Sequence, residues 1–499
     1  MVLSLVFCAF FAAFPDNDVW KGNSVMNSTC AHNDDRIRPY TKNLFYWQHK
    51  GKPVLLLGAS GTDNLFQWTG TRLTHHLDLL KSVGGNYVRN TMHARINHSE
   101  VGTKFGYQQA FKKVGDLYDL DQWNEEYWNR FETFLRETHK REIIVQNEFW
   151  DYWAHCNERW DEHPFNPKNN MNYSAAETGV PEVYKHQRYP GNPFFLVVPG
   201  LNYNEIVLSY QQKYIRKLIQ TCLQFDHVLF QVNNESSFPH EVGDYWARFL
   251  KEEAGDKDAY ITDMRYVRDL TEMQWQYVIE RPEIYDFVDI SQNSRNSGEV
   301  HWDMLQGVRA KLLDSRRPIN HTKTYASFCW DENSGGIQDM VERLWRNILG
   351  GAASCRFHRP DRWLTGIGLH PISRQNIKSM RMFTDDLDIF VMEPHMELLS
   401  SREENEAYCM AEPGRQYAVY FTGSGDRSVE IDLSATSGKL TQRWLHIHEC
   451  QWKKETIIDG GGLHTLTAPK LGGNFSRVPG GTQWAVLLKV LKSDAEMQR

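Results

Sequence analysis

The sequence predicts an α/β protein: a (β/α)₈ barrel over about residues 45–395, then a small antiparallel β-sandwich over about residues 396–492. Three observations predict it. From about residue 50 to about residue 390, short apolar runs alternate with amphipathic, helix-length segments, which implies a parallel sheet with crossover helices. Eight such units favour a closed barrel over an open doubly wound sheet. Beyond about residue 395 the alternation gives way to short strand-like runs between Gly-rich turns, the pattern of a small antiparallel domain.

Lys52-Pro53 leads into the first strand, Val54-Leu-Leu-Leu-Gly58, and Leu73 to Val83 reads as the helix after it. Gly84-Gly85 breaks that helix before a second strand, Asn86-Tyr-Val-Arg-Asn90. Trp123 to His139 has helical periodicity, and Glu142-Ile-Ile-Val-Gln146 is the third strand. Tyr203 to Cys222 is a helix, and Val228-Leu-Phe-Gln-Val232 the fourth strand. Tyr260-Ile-Thr262, Phe287-Val-Asp-Ile290 and the run opening at Arg317-Pro-Ile-Asn320 supply the fifth to seventh. A helix from Ile337 to Leu349 precedes the eighth strand, Ala352 to Phe357. Residues 153–202 form a long Asn-, Pro- and Tyr-rich insertion after the third strand, and loops of that length in a compact domain are usually functional. In the C-terminal part, Arg415 to Phe421, Ser428 to Leu433, Leu440 to Ile447 and Gln483 to Leu488 are strands.

Composition narrows the function. A net charge of −7 recommends neither nucleic acid nor an anionic membrane as partner. No helix opens on a Gly-rich phosphate-binding fingerprint, which weighs against a nucleotide enzyme. The eight Cys are scattered without metal-ligand spacing or a dense disulfide framework. The pairs His75-His76 and His446-Ile-His448 lack further ligands at a recognisable spacing, so no metal and no cofactor is expected. Residues 1–20 hold an apolar run ending at Pro15, of signal-peptide length but without a basic leader; it points to a secreted or periplasmic protein. The 17 Trp, 22 Tyr and 25 Phe are the outlier, many of them among polar residues, as in Asn147-Glu-Phe-Trp-Asp-Tyr-Trp153. Rings flanked by polar groups suit sugars, whose faces alternate C–H patches with hydroxyls; the bland alternative is a large aromatic core.

A parallel barrel builds its active site at the C-terminal tips of its strands. The fourth strand ends in Asn233-Asn234-Glu235, which offers a carboxylic acid beside an amide able to orient a hydroxyl, the requirement for glycosidic cleavage. Glycoside hydrolysis needs a second carboxylate as well. At the seventh strand, where that partner is expected, Lys323 stands instead, and the nearest acids are Asp331 and Glu332. Glu332 is therefore the expected second catalytic group beside Glu235. Asp63, Arg89, Glu148, Asp151, Asn234, Tyr325 and His358 lie at or after strand tips as candidate sugar contacts, with Trp68, Trp150 and Trp330 as candidate stacking platforms. Asp63, Glu148 and Asp151 could instead supply the missing second carboxylate, and Arg89 could hold a carboxylate ionised, with a structural ion pair as an equal alternative.

With Asn234-Glu235 after the fourth strand and Arg89 after the second, the chain resembles the retaining glycoside hydrolase clan of (β/α)₈ barrels. More narrowly it resembles bacterial apiosidase-like glycosidases, in which a Lys-Pro-Val-Leu-Leu-Leu-Gly type strand opens the barrel. Residues Ala407 to Val490, with the Tyr-Ala-Val-Tyr-Phe strand and Gly-Gly hairpin, resemble the C-terminal β-domain of that group, labelled collagen-binding. The resemblance implies hydrolysis of O-glycosidic bonds in a poly- or oligosaccharide. Lys323 departs from it and leaves two rivals: a catalytically inactive carbohydrate-binding pseudoglycosidase, and a carbohydrate lyase using Lys323 as base.

Overall fold

The computed structural model describes residues 35–93, 106–185, 191–326, 335–360, 366–470 and 478–491. The N-terminal apolar run, Trp330 and Glu332 lie outside the described residues.

Strands and helices alternate in the expected order: β1 Leu56–Ala59, α1 Gly70–Ser82, β2 Tyr87–Thr91, α2 Glu125–Lys140, β3 Ile144–Asp151, α3 Glu205–Cys222, β4 Val228–Asn234 and α4 His240–Ala254. They continue as β5 Ile261–Thr262, α5 Met273–Ile279, β6 Val288–Asp289, α6 Gly298–Lys311, β7 Ile319–Asn320, α7 Gly336–Leu349, β8 Ser354–Phe357 and α8 Pro371–Asp385. One sheet runs β5-β4-β3-β2-β1-β8, and β6 pairs with β7, all in parallel. Backbone bonds close the ring. The Asp286 N–H donates to Ile261 O across β5 and β6, and the Ala353 N–H to Ile319 O across β7 and β8, each at 2.8 Å.

Local chemistry explains the elements. Asn124 and Asn204 cap α2 and α3 by accepting the Glu126 and Val207 N–H groups, and acids begin both helices. Gly58 is required where β1 meets β2, since a Cβ there would lie 2.0 Å from Tyr87 O. The N-terminal strands Arg38–Tyr40, Asn43–His49 and Lys52–Val54 carry Trp47 to the barrel's N-terminal end. There its ring meets Phe287 edge-on at 5.2 Å and its Nε1–H donates to Asn320 Oδ1 at 2.9 Å.

The insertion after β3 is better built than its composition suggests. It holds short helices at Asn157–Trp160 and Ala175–Thr178, the latter with a Ser174–Glu177 capping box, and buries Phe165, Phe194 and Phe195.

The C-terminal region forms two antiparallel sheets. The larger contains β9 Ala407–Glu412, β10 Gln416–Phe421, β12 Lys439–His446 and β14 Trp484–Val490, and the smaller pairs β11 Ser428–Asp432 with β13 Leu463–Thr467. Alternation splits the larger sheet between two cores. Cys409, Val419 and Phe421 join Val429 and Ile431 of the smaller sheet in one cluster. Tyr408, Met410 and Tyr420 join the barrel's core, where Tyr420 stacks on Trp345 of α7 at 5.3 Å. Trp345→Ala removes a fully buried ring from that junction. We expect a loss on the order of 3–5 kcal/mol, read as a lower thermal midpoint in calorimetry.

Candidate active site

Inward-facing positions of β2, β3 and β4 are polar, so they must satisfy one another. Along β2, Tyr87, Arg89 and Thr91 point inward at period two. The Tyr87 OH donates to Gln146 Oε1 at 2.5 Å, and Gln146 Nε2 donates to Gln231 Oε1 at 2.6 Å. Arg89 grips Glu148 with two prongs, Nε to Oε1 at 2.5 Å and Nη2 to Oε2 at 2.8 Å. Thr91 Oγ1 and Gln231 Nε2 also donate to Glu148, at 2.6 and 2.7 Å.

Asp63, beyond β1, accepts from Arg89 Nη1 at 3.3 Å, Arg356 Nη2 at 3.2 Å and Arg359 Nε at 2.7 Å. Its complete burial disfavours ionisation, but Arg89, His358, Arg359 and Arg356 together hold its carboxyl well below the ordinary Asp range. Burial likewise opposes the charge of Arg89, while Glu148 and Asp63 raise its pKa above the ordinary guanidinium value. Arg89, Asp63 and Glu148 are at most about 1% exposed. They form a structural ion network that joins β1, β2, β3 and β8, and in the described state they do not line a surface open to a sugar.

Glu235 follows β4 with φ of +54°, a left-handed backbone that costs a non-glycine residue on the order of 1 kcal/mol. Its side chain is 16% exposed, more open than the network beneath it. Donors from three other tips converge on its carboxylate. Trp153, after β3, donates Nε1–H to Oε2 at 3.2 Å; Gln292, after β6, donates to Oε1 at 3.1 Å; and the Lys323 ammonium, after β7, donates to Oε1. Lys323 also donates to Asn234 Oδ1 at 3.1 Å, and Asn234 Nδ2 donates to Asp151 Oδ1 at 3.1 Å.

Burial would raise the pKa of Glu235. The Lys323 charge, its hydrogen bond, Gln292 and Arg295 outweigh it and hold the carboxyl far below the ordinary Glu value. Burial in turn lowers the pKa of Lys323, against the opposing pull of Glu235. Tyr325 is pushed up to about 12, by burial first and then by the Glu235 charge. Its ring centroid lies 5.7 Å from that of His358, whose pKa burial lowers against the opposing pull of Asp63. Arg295 spans Tyr266 at 5.3 Å and completes the cationic side of the pocket.

The structure thus brings together Asn234, Glu235, Asp151, Tyr325 and Lys323, with Asp63, Arg89, Glu148 and His358 in the adjoining network. One aromatic expectation is corrected. Trp150 is fully buried against Tyr214 of α3 and Trp246 of α4, a core ring with no face for a sugar. Trp68 stands just before α1, half-buried, with Arg72 over its ring at 4.0 Å and its edge on His76, away from the groups that meet Glu235. Trp153, Gln292 and Arg295 belong to the pocket and were not predicted as contacts. The signal for Gln292 and Arg295 is their position just after the sixth strand.

A closed parallel barrel with a recessed carboxylate after its fourth strand defines the architecture. No family model matches the chain, and no curated protein matches it by sequence. Solved structures do match by shape. A glycoside hydrolase family 5 protein from Bacteroides vulgatus superposes with a TM-score of 0.62 at 13% identity, over 92% of this chain and 95% of its own. A second, named glycoside hydrolase, gives 0.62 at 12%, over 92% and 98%. The α-amylase of Geobacillus thermoleovorans, solved with acarbose, gives 0.52 at 13%, over 92% and 98%. At such identities the likeness establishes the (β/α)₈ barrel fold.

Asp63→Asn leaves three buried guanidinium groups short of a counter-charge, and we expect it to cost about 3–5 kcal/mol of stability at neutral pH. Because the folded-state pKa of Asp63 is depressed, its contribution is complete above the ordinary value of 3.8 and is lost as pH falls toward the folded value. Acid unfolding monitored by circular dichroism therefore separates the two proteins above that pH and brings them together below it.

Proposed function

We propose that this chain is a glycoside hydrolase of a poly- or oligosaccharide, with Glu235 as its proton-transferring carboxylate, Asn234 as the amide that orients the neighbouring sugar hydroxyl, and Glu332 as the second carboxylate. The observation that carries this reading is the convergence on Glu235. A partly open carboxylate, held in left-handed backbone at the mouth of a glycosidase-type barrel, receives N–H donors from the tips of β3, β6 and β7. Strain of this kind persists where the surroundings over-determine it, and it clusters at functional sites. The shape neighbours named as glycoside hydrolases support the same reading. The apolar segment at residues 1–20 accords with export toward an extracellular substrate, and the C-terminal sheets accord with a supporting β-sandwich.

The electrostatics constrain the chemistry. With Lys323 in place Glu235 is ionised near neutrality and its affinity for a proton is lowered by the ammonium. To act as acid it must first gain a proton, which requires substrate to weaken the Lys323 contact. Lys323, committed as an ammonium to Glu235 and Asn234, is a poor lyase base in this arrangement.

One observation favours a second reading, a carbohydrate-binding pseudoglycosidase. A cation stands at the seventh tip, where the resembling clan carries its other carboxylate, and neutralises Glu235. A panel of aryl glycosides and polysaccharides decides between the two. For a hydrolase, Glu235→Gln lowers kcat by at least about 10²-fold while ligand binding persists. For the pseudoenzyme, neither protein turns over any sugar that it binds, and Lys323→Glu, which restores the carboxylate pair, gains turnover.

A further inference from the structure

Behind the pocket wall, the insertion folds His155 and His163 against His93, which follows β2. Ring nitrogens of the three lie within 4.8 Å of one another, and all three residues are buried. His93 and His163 are 70 positions apart, so no local spacing betrays the cluster.

The outer contacts of two of the rings set their tautomers. His93 Nε2 lies 3.1 Å from Phe149 O, so it carries the proton and donates, which leaves the Nδ1 lone pair facing the cluster. His155 Nδ1 likewise donates to Asp151 O at 2.9 Å, and its Nε2, fully buried, has no hydrogen-bond partner. Metal-binding imidazoles show this pattern: the far nitrogen donates to a backbone carbonyl and the near one offers its lone pair. An orphaned buried acceptor is otherwise unfavourable. The third ring, His163, accepts the Phe165 N–H at Nδ1, so without an ion its Nε2–H donates to His93 Nδ1, 3.3 Å away. With metal–nitrogen bonds of about 2.0–2.1 Å, neighbouring ligand nitrogens around a tetrahedral ion are about 3.3–3.4 Å apart, so this spacing fits. Ligation through Nε2 requires His163 to move its proton to Nδ1 and release the Phe165 N–H, now 3.2 Å away.

We propose that His93, His155 and His163 bind one divalent transition-metal ion, zinc or a similar imidazole-preferring ion, which fastens the insertion to the tips of β2 and β3. An all-imidazole donor set selects zinc, copper, nickel or iron over magnesium and calcium. The site is structural. Its shell is aromatic, with His155 stacked on Phe194 at 4.8 Å and His163 on Trp160 at 5.6 Å, and it meets the pocket through Asp151, whose side chain holds Asn234.

The test uses the full-length protein, stripped with chelator and titrated with Zn²⁺, then with Co²⁺ as a spectroscopic probe. We expect one zinc per chain to survive gel filtration, a higher thermal midpoint, and visible Co²⁺ bands of a nitrogen-ligated, low-coordinate site. His155→Phe keeps a ring against Phe194 but has no donor, and it should lose all three signals; His163→Phe serves the same purpose. A folded wild type that retains no zinc and shows no such Co²⁺ bands overturns the proposal. So does His155→Phe binding zinc as well as wild type does, since the ion would then sit elsewhere, for example on His75-His76. If neither variant folds, the wild-type zinc content and Co²⁺ spectrum decide alone.

Discussion

A closed parallel barrel gives its inward-facing polar groups little but one another, and that constraint organises this molecule. Tyr87, Arg89, Gln146, Glu148, Gln231 and Asn320 lie on four different strands, and their hydrogen bonds run across the interior from one to the next. Burying such groups is costly unless each is satisfied, so the network specifies which strand tips stand beside which. Arg89 is its pivot. With Glu148 on one side and Asp63 on the other, it ties β2 to β3 and, through the shared aspartate, to Arg356 and Arg359 at β8.

The layer of Asn234, Glu235 and Lys323 sits one step nearer solvent and inherits its geometry from that floor. Asn234 is clamped between Asp151 and Lys323, so the residue after it enters left-handed backbone in a fixed place. There Glu235 meets the ammonium of Lys323, and each modifies the other. The lysine keeps the carboxylate charged, while the carboxylate compensates a cation that burial disfavours. On the glycoside hydrolase reading proposed above, a substrate that separates the pair would free a carboxylate and an ammonium together.

Much of the barrel was legible from sequence because β-strands buried on both faces read as apolar runs and their helices are amphipathic. The strand ending in Asn234 and the helix ending at Cys222 lie where periodicity placed them. Polar interior positions left one ambiguity: Arg89 read equally as a site group or as half of a structural ion pair, and Glu148 as a sugar contact, and in the fold the two pair with each other and are closed off. Trp150 misled for a related reason. Its neighbours in sequence are polar, but the helices α3 and α4, far along the chain, cover it. Gln292 and Arg295 are signalled only by their place after the sixth strand, and the three-histidine cluster, a product of tertiary assembly, by no short motif.

The ionisation state of Glu235 is the most direct measure of this account. Its carboxyl carbon can be followed by ¹³C NMR in selectively labelled protein, assigned by difference against Glu235→Gln. With the Lys323 pair as described, the signal stays that of a carboxylate from neutral pH down through the ordinary value of 4.5, and it titrates near or above that value only in Lys323→Met. A wild-type midpoint at or above 4.5 would contradict the account, since the pair that organises the pocket would then not exist in solution.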